Sequence, residues 1–179
     1  MHRPVKPVVA VVMGSDSDLA VMSEATKILE QFGIPCEVDI VSAHRTPARC
    51  RLFAQEAAGR GIKVIVAGAG KAAHLAGVIA AHTTLPVIGV PLDAGMNGLD
   101  ALLSTAQMPG GIPVACMAVG KAGAVNAGLL AVEMLALSDS RLSAKLAAHR
   151  RRMAAEVAKK ASTLRVWRMT TRRDRRKSG

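Results

Sequence analysis

The chain has 179 residues, enough for one domain that buries roughly 70% of its unfolded surface. Half the residues are hydrophobic, yet Phe32, Phe53 and Trp167 are the only aromatics; the core therefore falls to Ala, Val, Leu, Gly and Met, which suits helices packed closely on a parallel sheet and argues against a module that stacks nucleic-acid bases on rings. The net charge of +11 is segmental: residues 141–179 carry 14 Lys and Arg against 2 Asp and Glu, while residues 1–140 carry 10 against 11, so the body is neutral and the basicity belongs to one end.

Val8–Met13 is a short apolar run closed by Gly14, as expected of a buried strand, and too short for a secretory signal or a membrane span. Ser15-Asp16-Ser17-Asp18 offers two helix caps. Leu19, Met22, Ala25, Ile28 and Leu29 follow at helical spacing, and Gly33 stops the helix. Pro35 opens a second strand that ends at Val41 and delivers Ser42-Ala43-His44-Arg45-Thr46-Pro47. Thr46 is placed to cap, and Pro47 to begin, a helix over Pro47–Gly59. Lys63–Ala67 reads as a third strand, followed by a loop from Gly68 and a helix reaching about His82. Pro86–Val90 is the fourth strand, Gly98–Gln107 a helix, Met108–Gly111 a turn, Pro113–Val119 the fifth strand, and Lys121–Leu137 a helix rich in Ala and Leu. Ser138-Asp139-Ser140 caps one more helix, whose Leu142, Leu146, Met153, Val157 and Ala161 form a stripe on a basic rod. That stripe packs either on a neighbouring subunit or back on its own domain.

Strands alternating with helices predict an α/β fold, three-layer and flavodoxin-like, with a parallel five-stranded sheet in the order 2-1-3-4-5 and an extra C-terminal helix. Residues 1–162 form one domain in this reading, and residues 163–179 a basic disordered tail. The loops after strands 1, 2 and 3 become neighbours at the carboxyl edge of the sheet, where open α/β sheets bind ligands.

Each of those loops offers chemistry. The Gly14–Asp18 loop precedes a helix N-terminus, which attracts anions; Ser15 and Ser17 add hydroxyls, Arg45 adds a planar cation, and Asp18 suits sugar hydroxyls. These make a phosphate site, compatible with simple capping by the same residues. His44 belongs to the one residue type whose unperturbed side chain titrates near neutrality, so it is the candidate for proton transfer. Gly68-Ala69-Gly70-Lys71-Ala72-Ala73, with Asp93 about 20 residues on, matches a dinucleotide fingerprint, although that fingerprint ordinarily sits on the first strand of its unit. Gly70-Lys71-Ala72 and Gly120-Lys121-Ala122 lack the residues of a phosphate-binding P-loop. His44, His74 and His82 have no metal-ligand spacing with Cys, Asp or Glu, and no nucleophile elbow or cysteine nucleophile signature is present. Cys36, Cys50 and Cys116 are odd in number and far apart, which fits a reducing, cytoplasmic setting rather than a disulfide framework.

Taken in order, Gly14-Ser15-Asp16-Ser17-Asp18, Ser42-Ala43-His44-Arg45-Thr46-Pro47, Gly68-Ala69-Gly70-x-Ala72-Ala73-His74-Leu75, Leu85–Pro91, Gln107–Val114 and Asn126-Ala127-x-Leu129-Leu130-Ala131 resemble the N5-carboxyaminoimidazole ribonucleotide mutase family of purine biosynthesis. The resemblance covers about residues 8–160. It implies a cofactor-free, metal-free isomerisation in which the carboxylate moves from the exocyclic amine to C4 of the imidazole by decarboxylation and recarboxylation. His44 matches the family's acid/base histidine. Ser15, Asp18, Ser42, Arg45, Gly70, Lys71, Ala72 and His74 fall on its substrate-binding motifs. A homo-octamer is implied, with no specific nucleic-acid partner and no membrane. The rival readings are a dinucleotide-binding protein, a direct CO2-dependent aminoimidazole ribonucleotide carboxylase, and a nucleic-acid binder led by the basic end. Two positions depart from the family pattern: Lys71 stands where the third loop ordinarily has Gly, and Ala76 where it has Pro. Lys71 is expected to strain the backbone and to swing its ammonium to solvent; the alternative is that it pairs with the migrating carboxylate and slows its decarboxylation.

Overall fold

The computed structural model describes residues 6–175. Five strands form one parallel sheet in the order β2-β1-β3-β4-β5, as the sequence predicts: β1 (Val9–Met13), β2 (Cys36–Ile40), β3 (Val64–Gly70), β4 (Val87–Leu92) and β5 (Ala115–Cys116). The helices are α1 (Leu19–Phe32), α2 (Pro47–Arg60), α3 (Leu75–Ala80), α4 (Leu99–Ala106), α5 (Lys121–Ala136) and α6 (Ser140–Arg175).

The side-chain alternation of β1 divides the core in two. Val9, Val11 and Met13 face one layer, with Met22, Ala25 and Leu29 of α1 and Ala124, Ala127 and Ala131 of α5. Ala10 and Val12 face the other, with Phe53, Ala54 and Ala57 of α2 and Leu75 and Ile79 of α3. Both faces of the central strands are therefore buried, which explains their unbroken apolar runs. Gly33 and Gly61 end α1 and α2 at φ 74° and 101°, left-handed values that glycine adopts freely. The second of these stops lets α2 run past the expected end at Gly59.

Two expectations are corrected. Gly68-Ala69-Gly70 is not loop but the end of β3, because it pairs with Val90-Pro91-Leu92 of β4; the turn itself begins at Lys71. The fifth strand shrinks from Pro113–Val119 to two residues, since it pairs on one side only and Pro113 has no N–H for a ladder. α6 runs on to Arg175, over part of the segment 163–179 read as a basic tail, and its sequence has no Gly or Pro to break it. Residues 176–179 of that tail lie outside the described residues. Asp139 caps α6, accepting from the N–H of Arg141 at 2.9 Å. The α6 stripe divides: Leu142 and Leu146 pack against the α1/α5 layer, while Met153 and Val157 remain exposed. No helix among the described residues is long and apolar enough to cross a membrane.

Candidate functional site

Because β2, β1 and β3 are adjacent, their carboxyl ends meet at one edge. Val41 continues the β1–β2 pairing through its N–H to the Met13 carbonyl at 2.8 Å, and Gly14 continues β1–β3 through its N–H to the Gly68 carbonyl at 3.2 Å. The three loops leave from fixed positions. They enclose a cleft of about 440 Å³ lined by Ser15, Asp18, Ser42, His44, Arg45, Gly70, Lys71 and Ala72, together with Ala94 from beyond β4. Every site residue expected from sequence except His74 lines it directly.

His74 enters through His44. Its Nδ1 lies 2.9 Å from His44 Nε2, and the rings meet edge to face with centroids 4.9 Å apart. One ring donates and the other accepts, so each fixes the other's tautomer and orientation. His74 read from sequence alone is a polar anchor at a helix start; the pairing spans 30 positions and depends on the β2-β1-β3 order.

The Gly14–Asp18 segment folds as a tight 3₁₀ turn with a reciprocal cap. Ser15 Oγ accepts from the Ser17 N–H at 3.4 Å, and Asp18 Oδ2 accepts from the Ser15 N–H at 3.0 Å. Burial raises the Asp18 carboxyl above its ordinary value of 3.8, opposed by the hydrogen bond from the Ser15 N–H. Asp16 is exposed and moves down, held ionised chiefly by the Ser15 hydroxyl and then by the Ser17 N–H.

Arg45 bridges two loops. Its guanidinium donates to the Gly14 carbonyl at 2.9 Å, and its own N–H donates to Ser42 Oγ at 3.1 Å. Thr46 holds the N-cap position of α2, but its hydroxyl donates to the Ser42 carbonyl at 3.0 Å instead of capping. That bond tightens the turn that presents His44 and Arg45. Across the cleft, Lys71 has φ 56°, a left-handed value rare for a residue with a Cβ. Gly70 beside it is a close approach: a Cβ there would stand 2.6 Å from the Ala94 Cβ. Ala94 is the lining residue that sequence reasoning missed; its signal was the placement of β4 next to β3.

A larger hollow of about 900 Å³ lies at the amino end of β4, lined by Ala80, Ala81, Thr83, Pro86 and Ile112 among others. His82 is its one titratable side chain, so it lacks the converging groups of the smaller cleft. Among the described residues, no three His, Cys, Asp or Glu side chains converge as a metal cage, and all three cysteines are free thiols.

Residues 8–156 match the family model described as AIR carboxylase. The N5-carboxyaminoimidazole ribonucleotide mutase of Pyrococcus horikoshii is 53% identical over 160 residues, 89% of this chain and 89% of that protein. The Bacillus subtilis protein of the same name is 56% identical over 142 residues, 79% of this chain and 88% of that one. Among solved structures, the crystal structure of Treponema denticola PurE superposes with a TM-score of 0.80 at 26% identity, covering 88% of this chain and 98% of that one.

Proposed function

The chain belongs to the AIR carboxylase family, and on that premise we propose that it catalyses the isomerisation of N5-carboxyaminoimidazole ribonucleotide to 4-carboxy-5-aminoimidazole ribonucleotide in purine biosynthesis. The observation that carries this reading is the cleft itself. The hydrogen-bonded imidazoles of His44 and His74 stand at the cleft that the Ser15–Asp18 turn and Arg45 also line, which supports proton transfer by His44 beside a site for an anion.

The reaction moves a carboxylate and, in the opposite sense, a proton. The bond between the exocyclic amine nitrogen and the carboxylate carbon breaks, CO2 is released, and the amine nitrogen takes a proton from His44. C4 then attacks CO2, and His44 takes back the proton that C4 loses. The proton count closes with no net transfer, so one side chain able to hold and return a proton at neutral pH suffices. His74 keeps the His44 ring aimed and supplies a partner for whichever nitrogen is not engaged with substrate. Ser15, Ser42 and Arg45 hold the phosphate, Asp18 accepts from ribose hydroxyls, and the main chain at Gly70, Lys71 and Ala72 approaches the base. A closed pocket that keeps CO2 beside C4 is worth more than any single contact, because escape of CO2 aborts the reaction. The reaction as written calls on no cofactor.

The same reading makes the chain a cytoplasmic homo-octamer with a nucleotide-binding cleft. Its free thiols suit a reducing compartment, and the exposed Met153 and Val157 on α6 offer a surface for a neighbouring copy. Residues 1–162 are the catalytic unit, and the basic remainder of α6 takes no part in the chemistry.

An assay with the carboxylated ribonucleotide, run beside calorimetry with NAD, tests the function. Turnover without added nucleotide cofactor is expected. Micromolar NAD binding with no turnover would instead establish the dinucleotide-binding rival.

A further inference from the structure

Lys71 and Arg45 are the Lys and Arg side chains among the residues that line the cleft, and they leave from different strands. Arg45 follows β2, Lys71 follows β3, and the β1 turn lies between. Arg45 is already engaged, its guanidinium on the Gly14 carbonyl and its side chain beside the Ser15–Asp18 turn. Lys71 is exposed, and among the described residues no carboxylate stands within ion-pair distance of it. Its φ of 56° is a conformation that glycine would adopt freely and a side chain resists. An outlier of this kind at a site is retained where the surroundings hold it and the side chain has a use.

The ligand of the proposed reaction has two anionic groups, a phosphate on the ribose and a carboxylate on the base. We propose that Lys71 is a specificity residue that takes the migrating carboxylate, leaving the phosphate to Arg45 and the Ser15–Asp18 turn. This rests on the reading of the cleft as the site of that isomerisation. Lys71 neither gives nor takes a proton. Its ammonium meets the carboxylate before the C–N bond breaks, loses that partner when the group becomes neutral CO2, and meets it again once the C–C bond has formed. A contact made in the ground states and weakened between them lowers KM without raising kcat. It also distinguishes the carboxylated ribonucleotide from aminoimidazole ribonucleotide, which has the phosphate and no carboxylate.

Lys71→Met keeps an unbranched side chain and removes the charge; Lys71→Arg keeps the charge; Lys71→Gly removes both charge and strain. Steady-state kinetics are read with the stable 4-carboxy isomer in the reverse direction, beside the affinity for aminoimidazole ribonucleotide and the melting temperature. Lys71→Met is expected to raise KM about tenfold, equivalent to about 1.4 kcal/mol, with kcat equal or higher and the aminoimidazole ribonucleotide affinity unchanged. Lys71→Arg is expected to stay within about threefold of the parent, and Lys71→Gly to raise KM like Lys71→Met while melting higher. A KM for Lys71→Met within twofold of the parent overturns the proposal, as does equal weakening of both ligands. If the parent protein itself fails to interconvert the two carboxylated isomers, the isomerase reading falls instead, so the two failures are separable.

Discussion

Asp18 illustrates how one residue serves both fold and site. Its carboxylate closes the turn on the Ser15 N–H, and burial raises its folded pKa above the ordinary 3.8. The folded state therefore takes up this proton at a higher pH than the unfolded chain does. Above the folded pKa the buried charge is a cost, and the cost is relieved as pH falls through that pKa toward 3.8. Melting curves of the parent and Asp18→Asn, taken from neutral pH downward, should show the parent gaining stability relative to the variant across that window. A constant difference would mean that Asp18 does not titrate with folding. At this scale the sequence was informative where a residue acts through its own type. That His44 and Arg45 line the cleft was legible because they follow a strand that the alternation pattern sets beside β1, and the expected backbone strain at Lys71 is present at φ 56°. The His44–His74 pair was not legible, because no spacing rule relates two loops that only the sheet order brings within 2.9 Å.

Among the elements, α1 and α5 pack closely against each other, and the contact depends on small residues. A Cβ on Gly128 of α5 would stand 2.9 Å from the Ala25 carbonyl oxygen and 2.9 Å from the Ile28 Cβ, both on α1. The first of these is backbone and cannot step aside. Gly128→Ala should therefore destabilise by about 1–3 kcal/mol through overpacking, although it improves helix propensity by about 1 kcal/mol. Urea unfolding reads the balance, and a stabilised variant would show that α1 and α5 can separate without loss. Each of α1 to α6 was located from the sequence, since apolar spacing and glycine stops are local signals, although the Thr46 cap expected for α2 does not form. Strand ends were harder. Gly68-Ala69-Gly70 reads as loop by composition, yet pairing with β4 holds it in the sheet; Pro113–Val119 reads as strand, yet an edge position supports two residues of it. The first outcome is set by the neighbouring strand, and the second by the edge position together with Pro113.

At the scale of the whole molecule, a neutral α/β body carries a basic helix of 36 residues, and the charge that dominates composition belongs to the C-terminal part of the sequence. The topology was predictable because strand–helix alternation leaves few right-handed arrangements. The continuation of α6 to Arg175 was not, since a segment rich in Arg and Lys suits a solvated helix and a disordered chain equally well. The central claim is that the cleft isomerises a carboxylated ribonucleotide by moving one proton through His44. The direct test is single-turnover and steady-state kinetics of His44→Asn beside the parent, with ligand affinity measured on the same samples. Asn keeps polarity and much of the volume but cannot carry the proton, so turnover should fall at least about 100-fold while affinity changes by less than about threefold. Turnover within tenfold of the parent, or an affinity loss that accounts for the whole decrease, would contradict the account.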